Sequence, residues 1–168
     1  MSTDWPAVHQ KVVDQFRAGW DRPTPDVWDS FIGEDMEFIQ PMLRNGVGPA
    51  FWHGETARVL SLMPDLRADV LSWAGVGETL FIHLRLSGTL GGLPLTWEAV
   101  DLLRLTPDGT AHFRESFFDP GPVAAQVIRR PTAWLRWWRS GVGPFFARRR
   151  MLRPVATESG ANNYGGRQ

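Results

Sequence analysis

Two aspartates and a histidine carry most of the chemical promise of this chain. Asp119 closes an alternating apolar segment and is followed by Pro120-Gly121-Pro122, which stops strand pairing. Segments that follow strands carry function disproportionately. A carboxylate there can exchange a proton with a bound molecule if it faces an apolar cavity. Otherwise it pairs with the turn or caps the helix that follows. Asp101 lies inside Trp97-Glu98-Ala99-Val100-Asp101-Leu102-Leu103. A carboxylate in so apolar a strand has to be neutral, paired or facing a wet cavity, because burying it bare is too costly. The purely structural solution is a salt bridge, for instance to Arg85 or Arg104. His83 and Arg85 share one face of the segment Thr79–Thr89 with Phe81, Ser87 and Thr89, while Leu80, Ile82, Leu84 and Leu86 form the other. If the polar face lines a cavity, His83 can relay a proton to Asp119 or Asp101, imidazole being suited to that near neutrality, and Arg85 can hold substrate. If the aliphatic face is the core, both point at solvent or a partner subunit, and clean alternation in an antiparallel strand favours that arrangement.

Other chemistries find little support. The chain has no cysteine, which removes disulfides, thiolate nucleophiles and cysteine-ligated metals. His9 and His53 fall on helix faces away from the apolar stripes, His112 opens a strand beside a turn, and no two histidines have a metal-binding spacing. Phosphate-binding loops and serine elbows are absent, so no metal or cofactor is expected. Formal net charge is zero, which argues against nucleic acid as a partner. That zero conceals a division: residues 1–123 hold 17 acids and 9 bases, residues 124–168 hold 1 acid and 9 bases. The polar start and the lack of a long apolar run lead to the expectation of a soluble, cytoplasmic protein.

At 168 residues the chain is long enough for one domain with a substantial core. Thr3 or Asp4 can cap a first helix with Pro6 in its first turn and Val8, Val12, Phe16 and Trp20 along one stripe. Asp26–Ile32 reads as a short second helix, Met36–Pro41 as a strand, and the run from Trp52 to Met63 as a third helix. Beyond Pro64 the apolar period becomes two: Ala68–Ala74, Thr79–Thr89, Leu93–Leu105 and Thr110–Asp119 read as four consecutive strands, with turns at Gly91-Gly92 and Asp108-Gly109. Segregated helices and strands predict an α+β domain, a curved antiparallel sheet wrapped around three N-terminal helices. That domain spans residues 1–123. A basic, tryptophan-rich helical extension spans 124–153, and 154–168 has the composition of a disordered tail.

The element order, together with Phe38-x-Gln40-Pro41, Gly46–Gly48, Ala99-Val100-Asp101 and Phe117-Phe118-Asp119, resembles the nuclear transport factor 2-like superfamily, and within it the SnoaL-like branch. The resemblance covers about residues 5–122. It implies a cone-shaped sheet closed by helices around a mostly apolar pocket, often in a homodimer formed through the outer sheet face. It further implies Asp119 as acid/base, as in polyketide cyclases and epoxide hydrolases, and Asp101 at the place of the oxyanion-binding aspartate of ketosteroid isomerases. The isomerase pattern breaks at Gln40, which cannot take a proton, and at Val12, where a tyrosine would stand. The epoxide hydrolase pattern is only partly kept, although the Gln40 carbonyl oxygen could still position a water.

Two functions are consistent with this. One is proton-transfer chemistry (isomerisation, cyclisation or epoxide opening) on a small hydrophobic molecule, with Asp119, Asp101, His83 and Gln40 as the catalytic set and Phe38, Trp52, Trp73, Trp97, Phe117 and Arg85 around the substrate. The other is a ligand-binding or interaction module without catalysis. In the extension, Trp134, Trp137 and Trp138 share a helical face by spacing. Interleaved arginine and aromatic residues over 129–153 suit either docking onto the acidic body or a partner copy, or contact with an anionic membrane surface.

Overall fold

The protein is described by a computed structural model covering residues 3–140 and residue 142. Helix α1 (Trp5–Asp21) starts at Asp4, whose carboxylate accepts from the Ala7 amide at 3.2 Å, with proline in its first turn. Val12, Val13, Phe16 and Trp20 bury its inner stripe. His9 is buried as well, contrary to its expected outward place: its ring stacks on Trp5, meets Trp73 edge-on and bonds the Gly77 carbonyl oxygen at 2.8 Å.

The predicted helix over Asp26–Ile32 does not form. Residues 25–31 run as consecutive turns, with Asp29 and Phe31 amides bonded three residues back to Asp26 and Trp28. So short a run cannot repay helix nucleation. The turns still bury Trp28 and Phe31 as a helix would have done. The Trp28 indole donates to the Phe16 carbonyl at 3.3 Å, and it lies so close over Gly19 that no side chain fits there.

Strands β1 (Ile32–Ile39) and β2 (Gly46–Val47) precede α2 (Pro49–Leu62). The meander follows as β3 (Arg67–Val76), β4 (Thr79–Leu90), β5 (Leu93–Leu105) and β6 (Ala111–Phe117). Together they form one six-stranded sheet in the order β2-β1-β6-β5-β4-β3. The sheet is mixed rather than antiparallel: β1 runs parallel to β6, and every other pair is antiparallel. The long connection through α2 and the meander is what permits a parallel pair. Register shifts in the β1–β6, β3–β4 and β5–β6 pairs bend the sheet into an unclosed, curved wall.

The concave face is built from even-numbered residues of β4 (Leu80, Ile82, Leu84, Leu86) and odd-numbered residues of β5 (Leu95, Ala99, Asp101, Leu103). Helix α3 (Pro120–Ile128) begins inside the expected body, so the sequence boundary at 123/124 falls within it. Helix α4 (Pro131–Ser140) packs on α2 and α3. Arg130, between them, donates to the carbonyls of Leu90, Leu93 and Pro94, and Arg136 Nε donates to the Ser61 carbonyl at 3.2 Å. The described part of the extension therefore docks on its own body. The rest of the predicted extension (143–153) and the predicted tail lie outside the described residues. Among the described residues, no helix is long and apolar enough to cross a membrane.

Candidate functional site

The concave face, α2 and the two last helices line a partly open cavity of about 130 Å³. One water needs only about 10–15 Å³ measured this way, so the space suits an organic molecule. Its wall is mostly aliphatic and aromatic, with rings from Trp20, Trp28, Trp52, Trp97, Phe118 and Trp137. At one end stand the polar side chains of Gln40, Thr56, Asp101, Arg114 and Ser116.

Register explains that grouping. β5 and β6 pair Asp101 with Ser116 and Leu103 with Arg114, so these side chains share the concave face. Gln40 follows the last residue of β1, which runs alongside β6. Arg114 is the hub. Its Nε donates to Asp101 Oδ2 at 2.9 Å, a second guanidinium nitrogen lies 2.8 Å from the same oxygen, and a third nitrogen donates to Gln40 Oε1 at 3.0 Å. The guanidinium also stacks over the Trp52 ring, 4.8 Å from its centroid. Asp101 is fully buried, so its pairing answers the cost of burial, through Arg114 rather than Arg85 or Arg104.

The cluster is incompletely satisfied, and its open valences belong to residues of the cavity wall. Asp101 Oδ1, Gln40 Nε2, Thr56 Oγ1 and the indole nitrogens of Trp20 and Trp52 are buried without a hydrogen-bond partner. Buried polar atoms are normally paired, so five orphans around one cavity mark a place built to meet something polar. Above it, Met42 adopts a left-handed backbone (φ 63°) in the Pro41–Leu43 segment of the wall. Such strain in a non-glycine residue concentrates at functional sites. Two residues on, Arg44 is gripped by the buried Glu55 through 2.9 and 2.7 Å bonds.

The remaining expected site residues divide. Trp52 and Trp97 line the cavity; Phe38 lies behind Trp52, stacked on it at 4.9 Å between centroids. Trp73 packs against His9 under α1, away from the cavity. Asp119 is exposed and caps α3, accepting from the Gly121 amide at 2.8 Å, and it is not part of the wall. Phe117 points outward, and its neighbour Phe118 takes the place in the wall. His83 and Arg85 also lie on the outer face, both bonded to Glu98 across the β4–β5 pair. The Arg85 guanidinium, and after it His83, hold the Glu98 carboxyl below the usual carboxylate range. Among the described residues, no three acidic or histidine side chains gather as metal ligands would.

Arg114 was the residue the sequence hid. The polar period His112, Arg114, Ser116 is visible in β6, but the aromatic period Phe113, Phe117 has equal claim to face inward. Only the register with β5 decides between them.

A curved sheet closed by helices over a cavity of this kind is the nuclear transport factor 2-like fold. The SnoaL-like domain family matches residues 13–114, and the chain belongs to that family. Solved structures agree on the fold. A hypothetical protein with a ketosteroid isomerase-like fold from Catenulispora acidiphila, in complex with trimethylamine, superposes with a TM-score of 0.64 at 17% identity, over 73% of this chain and 95% of that one. A protein from Jannaschia sp. described as a SnoaL-like polyketide cyclase gives 0.59 at 18% identity, over 71% and 92%. A nuclear transport factor 2-like protein of unknown function from Burkholderia pseudomallei gives 0.64 at 18% identity, over 79% and 100%. No curated protein matches the sequence at a significant level.

Proposed function

We propose that the protein binds a small, largely apolar molecule in this cavity, with the Arg114–Asp101–Gln40 cluster meeting a polar group at one end of it. The observation that carries this reading is that five of the residues lining one apolar cavity each hold a buried polar atom without a partner. The orphans comprise three donors from Gln40, Trp20 and Trp52, one carboxylate acceptor from Asp101 and the ambivalent hydroxyl of Thr56. That set suits a carbonyl or hydroxyl oxygen on a carbon skeleton. Six aromatic rings in the wall suit planar, fused frameworks, the kind implied by the polyketide cyclase and ketosteroid isomerase-like neighbours.

If chemistry follows binding, it is proton transfer, and the acid/base role expected of Asp119 passes in this reading to Asp101. Asp101 lines the cavity and its Oδ1 has no partner, while Arg114 holds the other oxygen in place and stabilises negative charge. Binding without turnover is the second reading, favoured by the amide at position 40. Native mass spectrometry against steroid, polyketide and terpene-epoxide panels separates the two. Catalysis requires wild type to convert a compound that Asp101→Asn only retains, with Asp119→Asn converting as wild type does. Retention of the same compound unchanged by wild type and Asp101→Asn supports a binding protein. Failure of every compound to bind, or equal binding by Arg114→Met, overturns the site.

A homodimer fits the outer sheet face. Phe81 and Phe117 are exposed there, with Val100 and Leu102 between them and the His83–Glu98–Arg85 group alongside. An apolar centre with a charged rim is the composition of a subunit interface.

A further inference from the structure

Helix α4 has two faces, and the fold uses only one. Ala133, Trp137 and Ser140 recur at i, i+4 and i+7 and turn inward, with Trp137 in the cavity wall. On the other side Trp134, Leu135 and Trp138 are 50%, 68% and 79% exposed. The three tryptophans therefore do not share a face: Trp137 turns in, while Trp134 and Trp138 turn out. Trp134 donates its indole N–H to the Val127 carbonyl at 2.9 Å, which brings its ring to the end of α3, where the next residue, Ile128, is 56% exposed. Arg129 and Arg139 are exposed on the same two helices. From Pro120 to Arg153 the sequence contains eight arginines and no acidic residue.

A patch of two tryptophans and two aliphatic side chains marks a surface that something covers. Its charge selects among occupants. A second copy meeting this patch across a two-fold axis would bring arginine against arginine, which opposes the contact. A water–lipid boundary supplies what each residue type needs: interfacial depth for tryptophan, acyl carbon for leucine and isoleucine, and phosphate for arginine. A free helix of ten residues would first have to be ordered, but α4 is already folded against α2 and α3, so that cost is met before contact. Beyond the described residues the sequence continues with Phe145-Phe146 and Arg148-Arg149-Arg150, the same composition.

We propose that the outer face of α4, together with Ile128 and the exposed arginines, seats the protein on an anionic membrane surface. The contact does not require the cavity to be filled. Where the ligand reading above holds, it places Trp137 and the cavity wall beside a source of apolar molecules.

Co-sedimentation of the full chain tests this, using vesicles of phosphatidylcholine alone and of phosphatidylcholine mixed with phosphatidylglycerol. The expected result is binding to the mixed vesicles only, weakened by added salt. Arg129→Gln and Arg139→Gln should each weaken it about fivefold. Leu135→Ser with Trp138→Ser should abolish it. Both positions are well exposed, so the thermal transition of that double variant should match wild type. Three results overturn the proposal: no binding of the full chain to mixed vesicles, binding that the double variant retains, or a double variant that changes the oligomeric state while wild type ignores vesicles.

Discussion

Asp101 and Arg114 are each poor choices for a protein interior and acceptable only together. Removing the guanidinium leaves a fully buried carboxylate with nothing to balance it. Arg114→Met should therefore cost about 3–5 kcal/mol, a fall of roughly 6–20 °C in Tm. Replacing both residues with apolar ones removes the charge imbalance, so Asp101→Leu with Arg114→Met should melt well above Arg114→Met, short of wild type by the cost of leaving the Gln40 carbonyl unpaired. The same double variant should retain no cavity ligand, because the polar end is gone. Thermal melts and ligand retention on the three proteins check this. A double variant as unstable as Arg114→Met would show that the pair does more than balance charge. Asp101 could be singled out in the sequence because an acid flanked by Val100 and Leu102-Leu103 is conspicuous by itself. Arg114 could not, since arginine in an alternating strand reads as an ordinary solvent-facing residue until the neighbouring strand is known. Asp119 stays open for the opposite reason: an aspartate before Pro-Gly-Pro suits both a helix cap and a catalytic carboxylate, and the structure shows the cap, outside the cavity wall.

Elements governed by local rules were legible, and those governed by partners were not. β4 and β5 fall within a residue of their sequence bounds because period-two alternation and paired glycines are local signals; Gly91, Gly92 and Gly109 all adopt the positive φ their turns require. The turns at 25–31 and the division of α4 into two faces depend on which neighbours compete for the tryptophans, and spacing does not report that. The β5–β6 turn also carries an acid-sensitive lock. Hydrogen bonds from the Thr106 and Thr110 hydroxyls to Asp108 lower its carboxyl to about 2 from 3.8. A depressed carboxylate stabilises the fold above its unfolded pKa, and that contribution disappears as pH falls through the folded value. Wild type minus Asp108→Ala, measured as stability against pH, should be flat above about pH 5 and shrink towards pH 2. A difference that grows on acidification would contradict the assigned bonds.

For the molecule as a whole, the outer sheet face and the outer α4 face present different chemistry, one apolar with a mixed-charge rim and one apolar with arginine only. The dimer proposal belongs to the first. Phe81→Arg should convert a dimer to a monomer in sedimentation equilibrium while leaving vesicle binding and ligand retention unchanged, because Phe81 is outside both the cavity wall and α4. A monomeric wild type would end that proposal. The topology has a further consequence, in time rather than in space. β1 pairs with β6 and with the two-residue β2, so on its long side it has no partner until the last strand exists. Gln40 and Arg114, which close the polar end of the cavity, are 74 residues apart. At about 5–20 residues per second, a ribosome takes roughly 4–15 s to add that length. For that interval the nascent chain carries Phe31, Ile32, Met36 and Phe38 with no sheet to bury them, so the first third of the protein is made in a form that invites a chaperone.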